Sequence, residues 1–568
     1  MQFDATGIDP LLDDALAAIG SRRAFSGFQE SGSSRIHGVE KPAAGQAAFA
    51  AHLGQPFEFD AGTTEWRVAE ERSPFTGETL DIAYALPKID AQFAAASQAM
   101  PAWAAAPMAQ RIKCCVDMLR RIDEHGFEIA HAIMHTAGQS FPMAYAGSGA
   151  NALDRGLEAV AWSWLMMTAL PLQARWQKQI GAGDPIHLDK RWRLMPRGPA
   201  VVFCCASFPT WNGYPAIMAN LACGNPVLIK PHPTAVLPMA IAARLMREVL
   251  VESGFDPALI QLVVDHSEVP LGKALVEHEQ TAIIDFTGSA RFGSWVEQHA
   301  GNRPCYTETS GINTVILDSA TNVEAALDAV VNTLCLFSSQ MCTSPQTFYL
   351  CEEGMRDAQG KHWSADEVEA ALIERVEALS NSPKRAASVM GSIQSATTLA
   401  LIDEWTAAAE AGRYRLLRRS QPYAHPDGDA VRTATPLILG LDLADGTAPE
   451  EEVFGPIAFI LRAPDRSQAL AHAADHARRF GAITAYLYST DDTFVAQATD
   501  AFAWAGAALT CNLTGNMPLN FSAAYSDLHV SGLNPAGNAT LADPDFITGR
   551  FRYAQVRSPV MGHSTDSK

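Results

Sequence analysis

The chain reads as an α/β protein with two parallel-sheet lobes and one small β element, and three observations predict it. Short β-rich runs alternate with longer amphipathic stretches from Pro199 to Asp318. A second alternation of the same kind follows as far as Leu461, and one extended segment, Pro171 to Arg197, interrupts the pattern. Such alternation argues for parallel strands joined by crossover helices.

Taken in order, residues 1 to about 60 carry no chemistry that the residue types name. On Trp162, Trp164, Met166 and Met167, in a helix-like stretch, two readings stay open: buried core, or the wall of a substrate channel. Pro171 to Arg197 is extended and broken by Gly181-Ala182-Gly183-Asp184-Pro185, which predicts a hairpin. Strands are expected at Ala200–Cys204, Pro226–Ile229, Leu259–Val263 and Ala282–Ile284. Ala235 to Ser253 and Ser289 to Ala300 have helical spacing and end on Gly254 and Gly301, as helix stops do. In the second alternation the expected strands are Thr314–Leu317, Thr347–Leu350 and Ile457–Leu461, with helices at Val323–Leu336 and Glu367–Leu379. Thr565–Lys568 is expected to be a frayed end.

Composition excludes several classes. A length of 568 residues suits three or four lobes with large cores. The balance of 42 Lys plus Arg against 62 Asp plus Glu gives a charge of −20, which disfavours nucleic acid and anionic membranes as partners. Ten cysteines without CxxC spacing are no disulfide scaffold, and the start Met1-Gln2-Phe3-Asp4-Ala5 lacks the basic and apolar regions of a leader. No run of about 18 apolar residues occurs. A soluble, cytoplasmic protein is expected.

The chemistry-bearing motifs are Phe208-Pro209-Thr210-Trp211-Asn212, Leu228-Ile229-Lys230-Pro231, Phe286-Thr287-Gly288-Ser289, Thr307-Glu308-Thr309-Ser310-Gly311, Ser338-Ser339-Gln340-Met341-Cys342-Thr343-Ser344 and Glu451-Glu452-Val453-Phe454-Gly455-Pro456. Each is weak alone. In this order, from about Trp66 to about Val556, they resemble the aldehyde dehydrogenase superfamily. The resemblance implies an aldehyde dehydrogenase-like fold: a Rossmann-type dinucleotide-binding domain (61–172 and 198–310), a catalytic domain (311–514) and a small β oligomerisation element (173–197 and 515–558), after an N-terminal extension (1–60). It also implies a homodimer or homotetramer, the hairpin pairing with a late C-terminal strand.

Within that resemblance Cys342 is the candidate nucleophile. A flat carbonyl has no electron pair to expel hydride, and a thiolate adduct supplies one. A free thiol ionises at about 8.5, so the site should depress that value or deliver a base. The alternative for a cysteine is a small buried hydrophobe, the reading kept for Cys335 and Cys351. Asn212, after a strand and a proline turn, is the candidate oxyanion donor, with a helix N-cap as its other reading. Glu308 is the candidate base for thioester hydrolysis, with its pKa expected to rise on burial. Its presence implies water rather than coenzyme A as the acyl acceptor, against an acylating enzyme of the same fold. A non-redox cysteine thiol hydrolase would need a histidine beside Cys342, and the only one within 50 residues before it is His299.

For the cofactor, Gly288, Ser289 and Gly293 open a helix whose amides suit a pyrophosphate. Lys230 resembles the adenine-ribose lysine, Glu452 and Phe454 the nicotinamide-side pair, and Trp211 and His232 are further cofactor candidates. Surface charge or core packing are their plain alternatives. Where NAD-preferring relatives place a glutamate, this chain has Pro233, so NADP is expected to serve at least as well as NAD. No metal is expected. A finer resemblance, to the phenylacetic acid degradation protein PaaN group, rests on Leu12–Ile19 with Arg23, Ser207–Pro215, Lys230–Pro233 and Ser338–Pro345. It implies phenylacetate catabolism and a coenzyme A-linked semialdehyde. The densest basic cluster, Lys190, Arg191, Arg193 and Arg197, is a candidate site for that anionic carrier.

Overall fold

The computed structural model describes residues 6–60, 63–309, 311–446 and 448–560. The N-terminal residues Met1–Ala5, Ser310 and the Thr565–Lys568 end lie outside the described residues.

The strands Ala200–Phe203, Val227–Lys230, Ile260–Leu262 and Ile283–Thr287 are apolar almost throughout and buried, as strands covered on both faces must be. They form an all-parallel five-stranded sheet with Cys305–Glu308, in the order 260–262, 227–230, 200–203, 283–287, 305–308. Strand order reverses at Ala200–Phe203, so the crevice beside its carboxyl end is where a ligand fits in such a sheet. The helices Leu237–Glu252 and Ala290–His299 cover this sheet, the latter capped by the Ser289 side chain accepting from Phe292 N.

A second sheet has seven strands in the order 415–418, 437–442, 457–463, 345–351, 313–317, 484–488, 508–511, parallel except for the antiparallel edge strand Arg415–Arg418. Separate apolar cores lie on its two faces. The expected hairpin is present: Gln173–Lys178 pairs antiparallel with Ile186–Pro196, which in turn pairs with Phe551–Pro559. Buried Arg550 forks onto Asp285 at 2.8 and 2.6 Å and so ties that last strand to the five-stranded sheet.

The N-terminal segment packs into the first core. Leu12, Leu16 and Ile19 of the helix Pro10–Ser21 bury with the helix Asn151–Thr168. The helix Glu40–His52 lies so close on Gly126–Ala137 that a Cβ at Gly45 would stand 2.3 Å from Phe127 Cβ. Met166 and Met167 are core residues, the former 6 % exposed. All ten cysteines are free. Among the described residues no helix is long and apolar enough to cross a membrane.

Candidate active site

Cys342 sits in the turn between the helix Val323–Cys335 and the strand Pro345–Cys351. Phe337, Ser338 and Ser339 ahead of it all adopt left-handed backbone (φ 49°, 50° and 54°), which costs on the order of 1–3 kcal/mol each. Buried bonds hold that turn: Ser338 Oγ to Met390 O at 3.0 Å, and Gln340 Nε2 to Phe337 O and Ser392 O at 3.1 and 2.8 Å. Asn313 Nδ2 donates to the carbonyls of Cys342 and Ser344 at 2.8 and 3.0 Å.

Glu308 ends the strand Cys305–Glu308, and Asn212 lies in the first turns of the helix Pro209–Ala222. The structure brings these two and Cys342 together. Cys342 Sγ is 3.4 Å from Glu308 Oε1, and Asn212 Nδ2 donates to Glu308 Oε2 at 2.7 Å. A further residue completes the group. His529, in the loop before the helix Pro544–Thr548, places Nε2 3.0 Å from Glu308 Oε1 and 3.7 Å from Cys342 Sγ. The sequence offered no signal for it, because His529 lies 187 positions from Cys342 and belongs to no periodic element.

Two expectations about ionisation change. Burial pushes the Glu308 carboxyl up, but the His529 ring, the Cys342 thiol and the Asn212 amide together outweigh it and leave the group below the ordinary carboxylate range. The Cys342 thiol is raised well above its ordinary value, by burial first and then by the Glu308 charge. The site therefore delivers a base to the thiol and does not depress its pKa.

A cleft of about 770 Å³ runs from Cys342 along the carboxyl ends of the five-stranded sheet. Asn212, Lys230, His232, Gly288, Ser289, Glu308, Glu452 and Phe454 stand on its wall with Cys342. Two expected cofactor residues do not. Trp211 packs its ring 4.3 Å from that of His529, with Arg155 5.2 Å over its indole. Gly293 faces the interior, where a Cβ would be 2.4 Å from Thr309 Cγ2. The cleft also carries Asp265, whose Oδ1 lies 2.7 Å from Lys230 Nζ outside hydrogen-bond geometry. The signal for Asp265 was present in the sequence, as a carboxylate just past a strand at the sheet's carboxyl edge. Lys190, Arg191 and Arg193 stand on the hairpin strand Ile186–Pro196, away from this wall.

The dimensions and donors fit a nicotinamide dinucleotide. The cleft has the volume of a cofactor site, a capped helix start at Gly288-Ser289 for a pyrophosphate, and a lysine–aspartate pair at one end. Chemically, the cluster can ionise a thiol, offer a donor to an oxyanion and take a proton from water.

The chain matches the family model described as the aldehyde dehydrogenase family over residues 62–521. It is similar to a crystal structure of an NAD-dependent aldehyde dehydrogenase from Burkholderia multivorans, 42 % identical, with 97 % of each chain covered and a TM-score of 0.93. Among curated proteins it is 29 % identical to betaine aldehyde dehydrogenase 2 of Rhizobium meliloti (strain 1021) over 55 % of this chain, and spans 61 % of that protein's length. It is 26 % identical to an N-succinylglutamate 5-semialdehyde dehydrogenase of Pseudomonas fluorescens (strain Pf0-1), over 72 % of this chain and 78 % of the relative.

Proposed function

We propose, from the premise that the chain belongs to the aldehyde dehydrogenase family, that it oxidises an aldehyde to the carboxylic acid through a thiohemiacetal and then a thioester on Cys342. The observation that carries this reading is the cluster of Cys342, Glu308 and Asn212 at one cleft sized for a dinucleotide. Cys342 Sγ attacks the carbonyl carbon while its proton passes to Glu308 Oε1, 3.4 Å away. The Asn212 amide turns from Glu308 to the new oxyanion, a contact worth roughly 2.7–4 kcal/mol in comparable sites. Lys230, Gly288, Ser289, Glu452 and Phe454 would hold NAD(P), which would supply the hydride acceptor when bound. After the thioester forms, Glu308 releases the thiol proton through the open cleft to bulk water, and, ionised again at neutral pH, takes a proton from the water that hydrolyses the thioester.

On the cofactor, Pro233 removes the usual selecting glutamate, which favours NADP. Asp265 supplies a carboxylate on the same wall, its Oδ1 2.7 Å from Lys230 Nζ, and its charge is unfavourable to a 2′-phosphate there. We therefore read the pocket as NAD-selecting, in line with the name of the Burkholderia multivorans relative. Asp265→Asn should raise catalytic efficiency with NADP relative to NAD at least 10-fold, and an unchanged ratio removes Asp265 from cofactor choice.

The substrate class we favour is a coenzyme A-linked semialdehyde of the PaaN type. Its support is the motif resemblance, together with the semialdehyde named for the Pseudomonas fluorescens relative. Water as acceptor follows from Glu308. A reducing cytoplasm, inferred from ten free cysteines, and a homo-oligomer built on the hairpin sheet complete the reading.

His529 beside Cys342 is the neighbouring histidine that the thiol hydrolase reading asks for, so one assay must separate the two. Purified protein is mixed with NAD or NADP and free or thioester-linked aldehydes, with and without coenzyme A, and reduced-nicotinamide absorbance is followed. Cys342→Ala should abolish turnover. Glu308→Ala should leave a burst followed by deacylation slowed roughly 10²- to 10⁴-fold. Ester or thioester cleavage without any aldehyde-dependent reduction would establish the hydrolase instead.

A further inference from the structure

We propose that His529 is a catalytic residue, whose Nε2–H donates to the Cys342 thiolate once Glu308 has taken up the thiol proton. The inference rests on the reading of Cys342 as nucleophile and goes beyond it, since the expected machinery contained no histidine.

The three reacting groups form a closed triangle. Cys342 Sγ to Glu308 Oε1 is 3.4 Å, Glu308 Oε1 to His529 Nε2 is 3.0 Å, and His529 Nε2 to Cys342 Sγ is 3.7 Å. His529 is 5 % exposed, and its other nitrogen, Nδ1, is buried with no hydrogen-bond partner. An unpaired buried N–H costs more than an empty lone pair, so the single ring proton belongs on Nε2. Trp211, 4.3 Å from the ring at 59°, fixes its plane.

With the proton on Nε2, His529 cannot be the base that takes the thiol proton. The balance runs otherwise: the Sγ–H bond breaks, the proton moves to Glu308 Oε1, and the charge moves from carboxylate to sulfur. Nε2–H, already donating to Oε1, then donates to Sγ, so the cluster keeps one negative charge beside one donor throughout. Sulfur needs that donor. Cys342 is half-buried, and the nearby Glu308, Cys205 and Glu452 all oppose its ionisation. Once the thioester has formed and Glu308 has released its proton to bulk water, Nε2–H returns to Glu308 and holds the carboxylate toward the acyl carbon.

Iodoacetamide alkylation of Cys342 as a function of pH, without cofactor or aldehyde, reads thiolate formation directly. His529→Phe keeps a ring against Trp211 and removes the donor, and it should slow alkylation at neutral pH about 10- to 100-fold and move its midpoint to higher pH. His529→Gln places a neutral N–H near the same point and should recover most of that loss. His529→Leu, also without the donor, replaces the Phe variant if that does not fold. Alkylation of either donorless variant at the wild-type rate and midpoint overturns the proposal, as does equal impairment of the Gln and donorless variants. Aldehyde oxidation that survives Cys342→Ala would instead overturn the reading of the nucleophile, leaving that failure distinct from one at His529.

Discussion

Asn212 donates its amide to Glu308 Oε2 at 2.7 Å, so one side chain both restrains the base and waits for the oxyanion. Asn212→Ala removes both contacts and should lower kcat about 10²- to 10³-fold, measured in steady state. Asn212→Asp puts a second carboxylate against Glu308. The pair then cannot ionise together at low pH, so one of its two apparent pKa values rises. Glu308 starts below the ordinary carboxylate range, so the acidic limb of the deacylation pH profile should move to higher pH in this variant. A limb at the wild-type position would separate Asn212 from the carboxylate. Glu308, Asn212 and Cys342 were legible as residues because each stands at a strand end or turn with a distinctive local pattern. The sign of the Glu308 shift was not, because it depends on His529, brought in by tertiary packing from beyond the family match at residue 521.

The element that carries His529 is held against the base's own strand. Gly537 bridges antiparallel to Glu308, and Asn538 Nδ2 donates to Cys305 O while its Oδ1 accepts from Thr307 N. A Cβ at Gly537 would stand 2.6 Å from Val530 Cγ1 and 2.9 Å from Thr307 O, so the loop must lift to admit one. Gly537→Val should therefore cut kcat at least 10-fold with a stability loss of only about 1–3 kcal/mol, checked by rate and by urea melt. The N-terminal segment supports the same loop from outside. Asp154 accepts from Ser26 Oγ at 2.6 Å, Gly27 N at 2.8 Å and Tyr525 OH at 2.8 Å, linking that segment to the chain just before His529. A second tie is Glu128, bonded by His52 and His125 at 2.8 Å each. Burial pushes its carboxyl up, but the two histidines bring it down to about 2. A depressed carboxyl stabilises the fold above its unfolded value of about 4.5 and loses that effect as pH falls toward the folded value. Glu128→Gln should thus cost about 1–3 kcal/mol near pH 6, with the difference from wild type shrinking as pH is lowered from about 5 toward 3. A pH-independent difference would mean that packing, not ionisation, is what the carboxylate supplies.

At the scale of the whole molecule, the parallel sheets were legible because strands covered on both faces read as apolar runs, such as Ala200–Phe203 and the stretch from Phe348 to Cys351 in the strand Pro345–Cys351. The segment before residue 60 was not, because its contribution is helix packing onto a core whose other half lies more than 100 positions away. The hairpin sheet meets the first core at Leu194 and Phe551. Its outer strand Phe551–Pro559 is exposed along nearly its whole length, with Tyr553 44 % and Val556 67 % accessible. A nine-residue strand of this kind presents unpaired amides and carbonyls that invite another strand, and its one proline, Pro559, stands at its very end. Both edges of the three-stranded sheet, Gln173–Lys178 and Phe551–Pro559, are open in the single chain. A second copy placed on either edge would cover the backbone and the apolar side chains together. Introducing a charge at the centre of that strand, Val556→Asp, leaves both cores and the Cys342 cluster untouched. It should lower the mass measured by light scattering to that of a smaller assembly, while the thermal midpoint of the remaining species falls only as far as lost association requires. An unchanged mass would take this sheet out of assembly and leave its exposed strand to some other partner.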